Sequence, residues 1–467
     1  MFIRTILVAA VAAAHLSSYA QADSTAEIRQ QLQQLREQYE ARIKALEQRL
    51  DAAEKPQAAA AAAAAPTPPP SPTPTPLPTP AAATQSAAGL GLSAVLTGTY
   101  SNLRNDPDTY HIQGFIPGGD ELGPGPRTFS LGESEITLAA NVDPYFSGRL
   151  TFALTPDNEA EVEEAYFRTS ALARGFGLMG GRFLSSLGYL NNQHAHTWDF
   201  VDAPLAYQAF FGGQHHTDGV QLKWIAPTET YFELTSELGM GNSFPGNDRN
   251  RNSPGSFSLG ARIGRDIGDS ASWRAGFSYL RAKSIDRTYD DLDSTGTAVT
   301  NAFTGDSDTY VLDGVFKWAP AGNVRTTSFK LQGEYFRRRE TGTLSYDIDS
   351  ASLGAASGDY GSRQSGWYLQ GVYQFARLWR VGVRYDRLSS GTPAIGLVSD
   401  GPLSAADFPR LESFSPERTT AMVDYSLTEF SRFRLQLASD RAQPGRSDRQ
   451  LFLQYIMSLG AHGGHSY

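Results

Sequence analysis

The sequence predicts an all-β chain, a transmembrane antiparallel β-barrel of about 16 strands, preceded by an N-terminal α-helical coiled coil and a Pro/Ala-rich linker. Three observations carry that prediction. Apolar and polar residues alternate with period two over segments of roughly eight to ten residues, the length a tilted strand needs to cross a bilayer. The connections alternate between short turns and longer Gly-, Asp- and Ser-rich loops. Four tryptophans, Trp224, Trp273, Trp318 and Trp379, fall within a few residues of the short turns.

The N-terminus comes first. Arg4 precedes the apolar run ILVAAVAAAHL, and Ala20-Gln21-Ala22 has the small-x-small pattern that signal peptidase cleaves, so residues 1–22 read as a signal peptide. The run is too short for a transmembrane helix, and no later segment holds the ~18–20 apolar residues such a helix needs. Residues 23–55 read as one periplasmic helix. Its apolar stripe of Ile28, Leu32, Leu35, Tyr39, Ile43, Leu46 and Leu50 is spaced 4, 3, 4, 4, 3, 4, the pattern of a coiled coil. A stripe this narrow calls for self-association without fixing the number of copies, and a homotrimer is expected because barrels of this kind commonly come as trimers. Residues 56–89 form the linker: eight alanines at 58–65, then nine prolines between Pro66 and Pro80, an extended polyproline rod without a core.

The barrel occupies residues 90–467. RTTSFKLQGEY (325–335) sets Phe329, Leu331, Gly333 and Tyr335 on one face and Lys330, Gln332 and Glu334 on the other. GWYLQGVYQF (366–375), LWRVGVRYD (378–386) and QLFLQYIMSL (450–459) repeat the scheme. Such segments centre near 97, 137, 150, 165, 180, 221, 235, 261, 277, 312, 331, 369, 383, 421, 434 and 454. Short turns (VDPYF, ALARG, APTET, DIGDS, APAGN, QFARL, SLTEF) follow the even-numbered strands. Long loops near 104–128, 185–214, 241–254, 285–305, 340–360 and 389–412 mostly follow the odd ones. Outer-membrane barrels have this asymmetry, with the short turns and both termini on the periplasmic side. The tryptophans then form an interfacial girdle.

A barrel of this size leaves an aqueous lumen. Its inner face is expected to carry Arg274, Asp313, Lys317, Lys330, Glu334, Arg380, Arg384, Asp386, Asp424, Arg432 and Arg434, a mixed set that sustains a transverse field. The segment 185–214, with Trp198, Phe200, Tyr207, Phe210 and Phe211, is too aromatic to stand in water. It is expected to fold inward as a constriction, with Trp198, Asp199, Asp202 and Tyr207 at the pore. Seven histidines remain after the signal peptide: His111 and the pairs His194/His196, His215/His216 and His462/His465. The two middle pairs bracket the constriction. With Asp199, the residues His194, His196, His215 and His216 offer imidazole and carboxylate ligands of the kind that suit zinc, although their spacing matches no zinc signature. A pH-sensitive pore lining and plain solvation are the other readings of these histidines.

Two functions follow: a passive channel for small hydrophilic solutes or ions, or a metal-related uptake or binding protein using the His/Asp cluster. The coiled coil leaves room for a periplasmic or peptidoglycan partner. The net charge of −9 and the lack of a basic run argue against nucleic acid. The absence of cysteine removes thiolate chemistry and lipid acylation, and no G-x-S-x-G motif marks an enzyme.

The segments FGLMGGRFLSSLG (176–188) and HTDGVQLKW (216–224) resemble the phosphate-selective porin family. The ending LQYIMSLGAHGGHSY is similar to that of outer-membrane proteins labelled zinc-regulated receptors. The resemblance covers roughly residues 90–467 and implies a sixteen-strand trimeric channel. One departure stands out: residues 185–214 contain no Lys or Arg, where phosphate-selective members place basic residues at the constriction.

Overall fold

Alternation decides which way each strand faces, and closure decides what the inward side chains meet. The computed structural model describes residues 90–460, apart from 119–121, 156–158 and 171. The signal peptide, coiled coil, linker, His462, His465 and Tyr467 lie outside the described residues. A single antiparallel sheet of eighteen extended segments closes on itself. Two of these, Thr128–Ser130 and Ala394–Ile395, are short additions at the long-loop end, leaving sixteen barrel strands. They are β1 (Leu90–Leu103), β2 (Ser134–Asn141), β3 (Phe146–Leu154), β4 (Ala160–Thr169), β5 (Phe176–Leu184), β6 (His216–Ile225), β7 (Tyr231–Gly239) and β8 (Ser256–Ile267). The second half comprises β9 (Ala271–Leu292), β10 (Ala298–Trp318), β11 (Ser328–Tyr346), β12 (Ala356–Ala376), β13 (Trp379–Ser389), β14 (Glu417–Thr428), β15 (Ser431–Arg441) and β16 (Asp448–Gly460). Each strand pairs with its chain neighbours, and β1 pairs with β16 from Ser93↔Gly460 to Leu103↔Gln450, so no edge is left open.

Each sequence-expected strand centre falls within one of these sixteen strands. The faces follow the alternation: Leu331, Tyr335, Trp367, Leu369, Tyr373 and Phe375 are exposed outward, while Gln332, Glu334, Tyr368 and Gln370 are buried inside. Two expected loops are instead mostly strand. Residues 285–305 and 340–360 extend the hairpins β9–β10 and β11–β12, whose strands run 19 to 22 residues, against 8 to 10 for β2 to β5. The outward face explains the difference. It switches from Phe277, Tyr279 and Tyr335 to Arg281, Lys283, Arg337 and Arg339, so the apolar alternation ends before the strand does. Across the outer surface Arg281 pairs with Asp306 at 3.0 Å. At the other end Trp273, Trp318 and Trp379 are exposed near the short turns, with the Trp379 and Tyr425 rings tilted against each other at 4.6 Å.

Candidate functional site: the filled lumen and its vestibule

The segment between β5 and β6 begins where Ser185 and Ser186 meet Glu237 of β7. It continues through a 3-10 turn at Ala195–Thr197 and one short helix, α1 (Leu205–Phe211), every residue of which is buried. Wall side chains satisfy the segment's backbone. The Glu334 carboxylate accepts hydrogen bonds from Tyr189 N (3.0 Å), Leu190 N (3.1 Å), Tyr207 Oη (3.0 Å) and Tyr368 Oη (2.6 Å). The chain approaches Glu334 so closely that a Cβ at Gly188 would lie 2.0 Å from Oε2, and Gly188 also takes a positive φ of 65°. Asp386 accepts from Leu205 N at 2.9 Å, which caps α1 from the wall because Pro204 has no side-chain oxygen to do so.

The basic residues absent from 185–214 come from the wall. Asp199 lies between Lys330 and Arg380 and also accepts from Gln370 at 3.1 Å. Asp202 lies between Arg384 (3.0 Å) and Arg418 (2.7 Å). Arg434 donates to Trp198 O at 3.0 Å and pairs with Asp424 at 2.8 Å, while Arg432 donates to His196 O at 2.7 Å. Burial alone would raise the Asp199 and Asp202 carboxyls, but Lys330 and Arg380 for the first, and Arg418 and Arg384 for the second, hold them below the ordinary Asp value. Arg274 stacks over the Tyr189 ring at 4.4 Å and lies 3.6 Å from Asp313.

Beyond this polar belt, toward the long loops, α1 packs into an apolar cluster with Phe115, Phe336, Tyr368 and Leu388. Phe210 stacks on Phe336 at 5.6 Å. On the short-turn side the lumen opens as a vestibule of about 1790 Å³, lined by Lys317, Lys330, Arg380 and Arg432 and reaching the segment at His194, His196 and Asp199.

Of the residues read as metal ligands, the structure brings His194 and His196 together, their rings stacked 5.6 Å apart. They belong to the 3-10 turn and its N-cap rather than to an extended stretch. The other three expected ligands are placed elsewhere: Asp199 with Lys330 and Arg380, His215 buried against Phe244 O at 2.8 Å, and His216 at the start of β6. Burial pushes the His215 imidazole below its ordinary value. The carboxylates that do meet the histidines were missed in the sequence. Glu135 Oε1 lies 2.8 Å from His196 Nδ1, and its Oε2 lies 3.1 Å from His194 Nδ1. Glu163 is 3.1 Å from His194 Nδ1, and Glu164 is 3.2 Å from its Nε2. Burial would lower the His194 imidazole, yet its hydrogen bonds with Glu135, Glu163 and Glu164 hold it well above the usual 6.5. A faint signal existed in EVEEAYF (161–167), where adjacent glutamates interrupt the alternation.

No protein-family model matches this chain. It is 32% identical over 358 residues to an uncharacterized protein of Aquifex aeolicus, covering 73% of this chain and 70% of that one. Among solved structures it is similar to a loop L8 deletion mutant of OmpT, an outer membrane protein of Vibrio cholerae. The TM-score is 0.50 at 11% identity, covering 79% of this chain and 99% of that one. The outer membrane channel DcaP of Acinetobacter baumannii aligns at TM-score 0.47 and 11% identity, over 81% of this chain and 100% of that one. At such identities the likeness is one of fold.

Proposed function

The chain belongs to the same family as the Aquifex aeolicus protein, and on that premise we propose that its barrel is a passive outer-membrane channel for small hydrophilic solutes or ions, constricted by the segment 185–214. The observation that carries this reading is the vestibule: a water-accessible volume of about 1790 Å³ with charged walls, which a packed structural core would not contain. Its lining carries both signs, with Lys330, Arg380, Arg432 and Arg149 beside Glu135 and Asp199, a mixed set of the kind that orients ions as they pass. The outward apolar band between the tryptophans and the charged switch at Arg281 and Arg337 suits a bilayer core of about 25–30 Å.

The finer readings rest on sequence. FGLMGGRFLSSLG (176–188) supports a phosphate-selective porin-like assignment, but Asp199 and Asp202 neutralise much of the basic wall, so the constriction favours anions weakly. The coiled-coil stripe supports self-association through a periplasmic stalk, and the porin resemblance supports a homotrimer. The test is single-channel conductance of the purified protein in a planar bilayer, beside a variant in which a short Gly-Ser link replaces 189–213. Stepwise currents are expected, with severalfold larger steps in the variant. Silence from both proteins sinks the channel, and equal steps sink the constriction.

A further inference from the structure

We infer that Glu135, His194 and His196 form the core of a divalent-cation site on the vestibule floor, with Glu163 and Glu164 as its outer carboxylates. The site goes beyond the channel reading and does not depend on it, since a barrel that conducts nothing would still hold the ion.

The geometry is that of a chelating set. Glu135, His194 and His196 each offer a ligand atom, and these atoms lie within 4.8 Å of one another. One carboxylate faces two imidazoles: both oxygens of Glu135 are engaged, one by each Nδ1. A cation drawn between them needs only small side-chain adjustments to reach metal–ligand distances near 2 Å.

Backbone irregularity concentrates carboxylates here. In the β3–β4 ladder Thr151 pairs with Glu164 and Phe152 with Val162, so Glu163 is an extra, bulged residue. Regular alternation would send Glu163 and Glu164 to opposite faces. The bulge turns both toward His194, at 3.1 and 3.2 Å.

Charge supplies an independent argument. Glu135, Glu163 and Glu164 bring three negative charges, all in side chains no more than 13% exposed. Among the described residues Arg149 is the guanidinium in ion-pair contact with them, at 3.6 Å from Glu164, and its own side chain is 37% exposed. The His194 imidazole, set between the three carboxylates, helps offset this excess in the ion-free site, and a divalent ion held by the same side chains would take over that role. Burying such an excess is costly unless something compensates it.

Ligand chemistry narrows the ion. Two imidazoles with carboxylate oxygens suit zinc and its neighbours, whereas calcium and magnesium prefer all-oxygen shells. Access is open, because Glu135, His194 and His196 line the vestibule itself.

The test is isothermal titration of zinc chloride into the purified full chain, in detergent, with His462→Ala and His465→Ala as background to remove the terminal pair. One zinc per chain is expected at micromolar concentration or below. Glu135→Gln, and separately His194→Ala with His196→Ala, should each weaken it at least tenfold, while His111→Ala leaves it unchanged. Retained mobility of the unheated barrel on a gel shows that each variant has folded. Cobalt offered in place of zinc should give a visible absorption band that the histidine variant lacks. Absence of zinc binding by the parent chain, or equal binding by the folded histidine variant, overturns the site.

Discussion

Single side chains, not segments, decide whether the lumen stays filled. Glu334 is the clearest case, because four donors from two parts of the chain converge on one buried carboxylate. Glu334→Gln keeps the shape but turns an amide NH2 toward those donors. It should cost about 2–3 kcal/mol and give noisier, larger current steps. Unchanged melting and unchanged currents would show that the segment is held by shape alone. Asp202 gives a pH-dependent counterpart. Its folded carboxyl is held below the ordinary Asp value, so its contribution is complete above about pH 4 and disappears as pH falls through the folded value. The difference in stability between the wild type and Asp202→Asn should therefore stay flat, near 3 kcal/mol, from pH 7 to about 4 and shrink only below that. Thermal melts of the two proteins across that range would check it; a gap closing near pH 6 would contradict the pairing with Arg384 and Arg418.

Among elements, the unequal heights of the strands are the main finding. At ~3.3 Å per residue the 22-residue β9 is roughly 70 Å long, more than a tilted crossing requires. Its far half should stand outside the membrane with β10 to β12. Because the chain has no cysteine, single introduced cysteines report this cleanly. Ser294→Cys, in the β9–β10 turn, should react with a membrane-impermeant maleimide on whole cells, while Asp269→Cys, in the β8–β9 turn, should not. Reaction at both or the reverse pattern would invert the topology. The same strands show where sequence reading stopped. Outward apolar residues such as Leu331 and Trp367 made the membrane portion legible. Above them Arg281, Arg337 and Arg363 face water while Tyr289, Phe336 and Arg338 face inward, so the polarity cue weakens or reverses although the ladder continues.

For the molecule as a whole, the candidate site was half legible. An aromatic loop carrying His194, His196, Asp199 and Asp202 marked the segment, and the alternation marked Lys330, Glu334 and Arg384 as inward. What linear order could not reveal was who meets whom. Glu135 lies 61 positions from His196, and Arg434 lies 236 from Trp198. The bulge that turns Glu163 left only the adjacent glutamates of EVEEAYF as a trace, too little to say which face they take. Those separations also set an order of assembly. The segment 185–214 is made before β11 to β15 exist, and its partners Glu334, Asp386 and Arg434 lie 145, 181 and 236 positions beyond the residues they hold. Until the second half of the wall is in place, Phe336, Tyr368 and Leu388 are missing from the seat of α1, and loop-closure entropy opposes any earlier seating. The filling is thus expected to seat together with the second half of the wall rather than ahead of it.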